Sequence, residues 1–151
     1  MNATQLSVGA YHGCAYRTNG ALQCWGLAEL GQMGDGSAGN RLSPADVPGM
    51  ANMVEVGAGG YHNCVLRPNS RVSCWGYNAF GQAGNGTFDD IAPLPETVPN
   101  LANVVALANG GGHSCVLRAD GGVRCWGYNA SGQLGDGTST HRATPVNVAF
   151  P

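Results

Sequence analysis

Three segments of this chain are copies of one another, and a repeat at fixed period constrains the fold more than any local feature. Tyr11-His12-Gly13-Cys14, Tyr61-His62-Asn63-Cys64 and Gly112-His113-Ser114-Cys115 are each followed, ten residues from cysteine to cysteine, by Cys24-Trp25-Gly26, Cys74-Trp75-Gly76 and Cys125-Trp126-Gly127. A third block recurs in register: Gly31-Gln32-Met33-Gly34-Asp35-Gly36, Gly81-Gln82-Ala83-Gly84-Asn85-Gly86 and Gly132-Gln133-Leu134-Gly135-Asp136-Gly137. The period is 50 and then 51, with the extra residue near Phe88–Pro93, so the repeats run 1–51, 52–102 and 103–151. Among 25 glycines and 8 prolines, the longest stretch free of both is Asn100–Asn109, which excludes a helix bundle or coiled coil.

Each repeat reads as four short strands. Gln5–Val8, Val54–Val56 and Val104–Leu107 are β-rich runs leading to glycine. Hairpins follow: His12–Arg17 with Ala21–Trp25, His62–Arg67 with Arg71–Trp75, and His113–Arg118 with Gly122–Trp126. Their loops, Thr18-Asn19-Gly20, Pro68-Asn69-Ser70 and Ala119-Asp120-Gly121, suit a type I turn closed by a left-handed residue, for which Ser70 is the weakest candidate. A fourth strand is expected after each proline, at Ala45–Val47, Glu96–Val98 and Val146–Val148. In the second repeat His62, Cys64, Leu66, Val72 and Cys74 share one face while Val65 and Trp75 occupy the other. Large apolar groups on both faces imply sheets stacked on both sides. The fold class is therefore all-β, with four-stranded antiparallel propeller blades as the leading architecture and a β-solenoid or β-sandwich as the alternative.

Each cysteine pair is symmetric about its hairpin loop, which places Cys14 opposite Cys24, Cys64 opposite Cys74 and Cys115 opposite Cys125, within reach of a disulfide. Six reduced, buried thiols are one alternative. A His/Cys/Cys metal site is another, disfavoured by the missing fourth ligand and the absence of any C-x-x-C. His12, His62 and His113 read instead as structural residues bonding loop backbone between neighbouring sheets. Because no cysteine is left over, a secreted or cell-surface location is expected, although no signal peptide is visible in this segment.

Charged residues are only 11% of the chain and its net charge is −2, with seven arginines and no lysine, so neither nucleic acid nor an anionic membrane is an expected partner. No apolar run is long enough for membrane insertion. The G-Q-x-G-[DN]-G block has no following Lys-Ser/Thr and reads as tight turns rather than a phosphate cradle. No catalytic constellation, cofactor site or metal site is identified. Arg17, Arg67 and Arg118 recur before the hairpin loops, where an arc of positive charge competes with ordinary solvated strand ends. His141 reads as a surface loop residue.

Val54–Arg67 (V-E-V-G-A-G-G-Y-H-N-C-V-L-R) and Cys125–Thr138 (C-W-G-Y-N-A-S-G-Q-L-G-D-G-T), three times in register, resemble the regulator-of-chromosome-condensation repeat family, in a cysteine-paired form similar to bacterial secreted or surface proteins. Repeat one departs from the pattern, with Leu27-Ala28 in place of Tyr-Asn. The resemblance implies a seven-bladed propeller, of which this chain supplies three blades. Further repeats of a parent chain, or self-association, would then complete the ring. The implied function is a non-enzymatic scaffold binding a protein partner through loops on one face, with Phe88-Asp89-Asp90-Ile91 as the candidate contact loop. The alternative is an inhibitor of a secreted enzyme such as a β-lactamase, for which Tyr77, Phe80, Phe88 and Tyr128 are the relevant aromatics. Guanine nucleotide exchange on a small GTPase is a third reading.

Overall fold

Residues 2–151 are described in a computed structural model. They form three four-stranded antiparallel sheets, each built from consecutive strands. The first holds β1 (Ala3–Val8), β2 (His12–Arg17), β3 (Ala21–Gly26) and β4 (Arg41–Ala51). The second holds β5 (Glu55–Ala58), β6 (His62–Leu66), β7 (Val72–Tyr77) and β8 (Ile91–Thr97). The third holds β9 (Val104–Asn109), β10 (His113–Arg118), β11 (Val123–Gly127) and β12 (Arg142–Asn147). These are propeller blades. The β1–β2 and β3–β4 connections and their equivalents lie at one end of the stack, and the β2–β3 hairpin loops at the other.

Hairpin register follows the symmetric pairing: His12 opposes Gly26, Cys14 opposes Cys24, and the same pattern recurs at Cys64–Cys74 and Cys115–Cys125. The third loop residue is left-handed in every case, with φ of 83° at Gly20 and Gly121 and 58° at Ser70, so a serine accepts here a conformation that usually calls for glycine. Asn19, Asn69 and Asp120 each accept a hydrogen bond from the backbone two residues on, which offsets part of that cost.

The outer strands differ from expectation. β4, β8 and β12 begin at Arg41, Ile91 and Arg142, so Pro44, Pro93, Pro95 and Pro145 lie within them rather than ahead of them. Each is an edge strand paired on one side only, where a missing N–H can point away from the ladder.

The core lies between the sheets rather than within any one of them. One cluster joins Cys14, Leu22, Cys24 and Met33 of the first blade to Val56, Val65 and Trp75 of the second. The other joins Cys64, Leu66, Val72 and Cys74 to Val104, Leu107, Val116 and Trp126 of the third. Consequently every residue of β6 is buried, whereas the outer blades each leave one face open, with Leu6 and Val8 exposed on one side and Leu117 on the other.

All six cysteines are paired as disulfides within their hairpins, with Cα separations of 4.1 Å. With their sulfurs bonded, the His/Cys/Cys alternative has no thiolate to offer a metal. The first two disulfides face the following blade, and Cys115–Cys125 lies on the equivalent face of the third. Cys14–Cys24 and Cys64–Cys74 are thereby sealed between sheets, while Cys115 is half-buried beside an apolar cavity of about 190 Å³ lined by Leu107, Val116, Leu117 and Val123. Mild reductant with an alkylating agent is therefore expected to label Cys115 and Cys125 first, read by peptide mass spectrometry. Equal labelling of all three pairs would show that the sheet interfaces do not govern access.

Candidate functional site

The recurrent residues meet across blade boundaries. Trp75 Nε1 donates to the Gln32 carbonyl at 2.9 Å, and Trp126 Nε1 donates to the Gln82 carbonyl at 2.9 Å. The glycine two residues later makes room for the indole: a Cβ on Gly34 would stand 2.7 Å from Trp75 Nε1, and one on Gly84 the same distance from that of Trp126. The G-Q-x-G-[DN]-G loop of one blade thus caps the tryptophan of the next. The glutamine side chains act locally instead, with Oε1 of Gln32, Gln82 and Gln133 accepting the N–H of Leu30, Phe80 and Ser131. Trp25 and Gln133, at the two ends of the stack, have no such counterparts among the described residues, and Trp25 lies over Gly13 of its own blade.

His12 and His62 bridge blades through side chains, where the sequence implies bonds to loop backbone. His12 Nε2 lies 2.9 Å from Asn63 Oδ1, and Asn63 Nδ2 donates to the same Gln32 carbonyl that receives Trp75. His62 Nε2 shares a 2.9 Å hydrogen bond with Ser114 Oγ. Burial lowers the pKa of all three imidazoles, and His62 falls to about 3, with the neighbouring His12 and His113 adding to the effect. Gly9, Gly59 and Gly110 leave space for these rings, since a Cβ there would run into the imidazole of His12, His62 or His113.

The β3–β4 type loops are held by their own polar residues. Asn78 Oδ1 accepts Ala83 N–H and Asn129 Oδ1 accepts Leu134 N–H, while their amides donate to Thr87 and Thr138. The first repeat, with Ala28 in that position, lacks this amide: Ala28 N–H donates to Asn40 Oδ1, and Asp35 accepts hydrogen bonds from Arg41 and Ser37. Burial opposes ionisation of Asp35, but these bonds outweigh it and hold the carboxyl at about 2. Asp136 is likewise held at about 2, chiefly by Thr138 and then by Arg142.

Of the candidate contact loop, Phe88, Asp89 and Asp90 lie in the connection to β8, with Phe88 exposed. Ile91 does not belong to the loop: it opens β8, pairs with Tyr77 and packs its Cγ2 towards Gly31 of the first blade. The recurrent arginines turn to their own hairpins, Arg17 to Gln23, Arg67 to Ser73 and Arg118 to Asp120.

The end opposite the hairpin loops carries a continuous run of rings that the sequence does not reveal. Tyr11 contacts Tyr61, Tyr61 contacts Tyr77, Tyr77 contacts Phe80 and Phe80 contacts Tyr128, with centroids 5.0–6.5 Å apart. His141 closes the series, stacked on Tyr128 at 4.9 Å and edge-on to Phe80 at 5.0 Å. His141 is therefore more than a loop residue, since its Nδ1 also accepts Asn129 N–H. Phe88 stands apart from this series. At this end a shallow cavity of about 270 Å³ is lined by Gly9, Gly59, Gly60, Gly110 and Gly111, next in sequence to Tyr11 and Tyr61.

Two models of the regulator of chromosome condensation (RCC1) repeat match the chain three times each, at residues 3–32, 53–82 and 104–133 and at residues 19–66, 69–117 and 120–151. The chain belongs to the RCC1 repeat family. The ultraviolet-B receptor UVR8 of Arabidopsis thaliana is 31% identical over 150 residues, which is 97% of this chain and 34% of that protein. Prp20p of Saccharomyces cerevisiae, studied for its binding to Gsp1p and histones, superposes with a TM-score of 0.88 at 21% identity, covering 98% of this chain and 38% of that one. Human WBSCR16 superposes at 0.86 with 24% identity, covering 99% and 40%. At these identities the solved structures establish the RCC1 β-propeller fold alone, and the chain spans between a third and two fifths of the length of each relative.

Proposed function

We propose that this segment is a non-enzymatic scaffold, a rigid run of RCC1 propeller blades that receives a protein partner on the loops of one end. The observation that carries this reading is the ring series from Tyr11 to His141, which spans all three blades at the end opposite the hairpin loops. Tyrosines with one face packed and one edge wet give large contact area at little entropic cost, and they are enriched in protein interfaces. The Phe88–Asp90 loop lies at the same end. Inhibition of a secreted enzyme would use this same surface, and the convergence of Tyr77, Phe80 and Tyr128 favours that form over nucleotide exchange. The three disulfides support an extracytoplasmic setting. Further blades, from the same polypeptide or another copy, would cover the open faces of the first and third sheets.

A photo-crosslinking residue at Tyr61 and another at Asn69, on opposite ends of the same blade, test the reading. A discrete protein adduct from position 61 and none from 69 is the expected result. Equal labelling at both, or labelling only at 69, would overturn it.

A further inference from the structure

The ring series lies in an electrostatic setting that narrows its partner, an inference that rests on the scaffold reading above. The loops at the ring-bearing end contain Glu29, Asp35, Asp89, Asp90 and Asp136 and no arginine. The two arginines nearest to them, Arg41 and Arg142, are tied to Asp35 and Asp136 at 2.7 and 2.8 Å, so neither offers a free positive charge. Glu29, Asp89 and Asp90 form no ion pair among the described residues. At the opposite end, Arg17, Arg67, Arg71, Arg118 and Arg124 flank the hairpin loops, opposed there by Asp120, which pairs with Arg118, and by Glu55 and Asp46. The two ends of the blades thus carry opposite charge although the chain as a whole is nearly neutral.

The backbone ties one of these acidic residues to the ring-bearing segment. The Asp90 carbonyl accepts the Asn78 N–H, which sets Asp90 against the backbone between Tyr77 and Phe80. Glu29 occupies the corresponding loop of the first blade, on the side of Tyr11, which is 65% exposed. A ring face attracts a cation through its quadrupole, arginine above all because its guanidinium is planar and weakly hydrated, and a nearby carboxylate completes the recognition of that group.

We propose that the ring-bearing end binds an arginine-bearing, basic segment of its protein partner, laid along Tyr11, Tyr61, Tyr77 and Tyr128 with its cations shared between the rings and Glu29, Asp89 and Asp90. The glycine-lined hollow at the same end, whose walls carry few side chains, leaves room for a partner's backbone to approach.

Fluorescence anisotropy with a labelled oligo-arginine peptide, an oligo-lysine peptide and an oligo-glutamate peptide tests this on the folded, disulfide-bonded chain. The arginine peptide is expected to bind more tightly than lysine, and glutamate not at the ring end. Tyr11→Ser and Tyr61→Ser should each weaken arginine binding by roughly two- to fivefold. Asp89→Asn combined with Asp90→Asn should weaken it further and flatten its salt dependence. Arg67→Gln, at the far end, should leave it unchanged. Circular dichroism and melting of each variant separate loss of binding from loss of fold. Indifference to the tyrosine and aspartate changes would overturn the proposal. So would ring-dependent binding of a neutral oligosaccharide in place of the arginine peptide. A protein adduct at position 61 with no affinity for the arginine peptide would leave the scaffold reading standing and remove this one.

Discussion

Replacing Trp75 with alanine is expected to destabilise the chain by about 3–5 kcal/mol, while the same change at Trp25 costs about 1–2 kcal/mol. The two residues occupy equivalent positions in consecutive repeats and oppose equivalent hairpin partners, Asn63 and Gly13. Their difference is what lies above them. Trp75 is fully buried beneath the Gly31–Gly36 loop of the preceding blade, donating to Gln32. Trp25 has no preceding blade in this chain and remains half-exposed over Gly13. Trp75→Phe, which keeps most of the ring but removes the N–H, should cost less than Trp75→Ala, about 1–2 kcal/mol. Urea denaturation followed by circular dichroism measures all three. Equal costs at Trp25 and Trp75 would mean that stability resides within each sheet, contrary to the two inter-sheet clusters.

This dependence on neighbours also explains which parts of the architecture are legible in the sequence. Hairpin pairing is readable because loop length alone sets register: with a three-residue loop, Cys64 can only face Cys74. That large groups such as Val65 and Leu66 alternate onto both faces is likewise readable, and it implies stacking. Which loop covers which tryptophan is not, since a period relates equivalent positions and Gln32 meets Trp75 across a boundary between copies. The partners of His12 and His62 are hidden for a different reason. The partner is Asn63 in one copy and Ser114 in another, with Gly13 at the same position in the first, so the position looks unconstrained although it carries a buried hydrogen bond. The ring series draws on several unrelated positions: Tyr11 and Tyr61 precede the histidine, Tyr77 and Tyr128 follow the tryptophan, and Phe80 and His141 belong to loops. No single column of the repeat displays it. The outer strands were obscured by proline, which reads as a strand stop unless the strand is known to be an edge.

The buried histidines should make the chain acid-sensitive well above the carboxylate range. His62 titrates near 6.5 when unfolded and near 3 when folded, chiefly because burial strips water from the charged ring. Between those values the unfolded chain binds a proton that the folded chain refuses, so stability present above about pH 6.5 is lost as pH falls, by roughly 1.4 kcal/mol per unit. At pH 5 the loss from His62 alone is roughly 2 kcal/mol, and His12 and His113, lowered in the same direction, add to it. The geometry shows why the proton is refused. The Nε2 atoms of His12 and His62 already face Asn63 and Ser114, and their Nδ1 atoms are buried without a partner among the described residues, so protonation would create an N–H with no acceptor there. Asp35 and Asp136, held at about 2, contribute stability above their unfolded pKa that is lost only as pH falls through about 4 towards 2, below the histidine window. Urea midpoints should therefore drop between pH 7 and pH 5, and His62→Asn should lower the midpoint at pH 7 while reducing that drop. A midpoint that stays level from pH 7 to pH 5 would mean that water reaches the blade interface and solvates the imidazolium there.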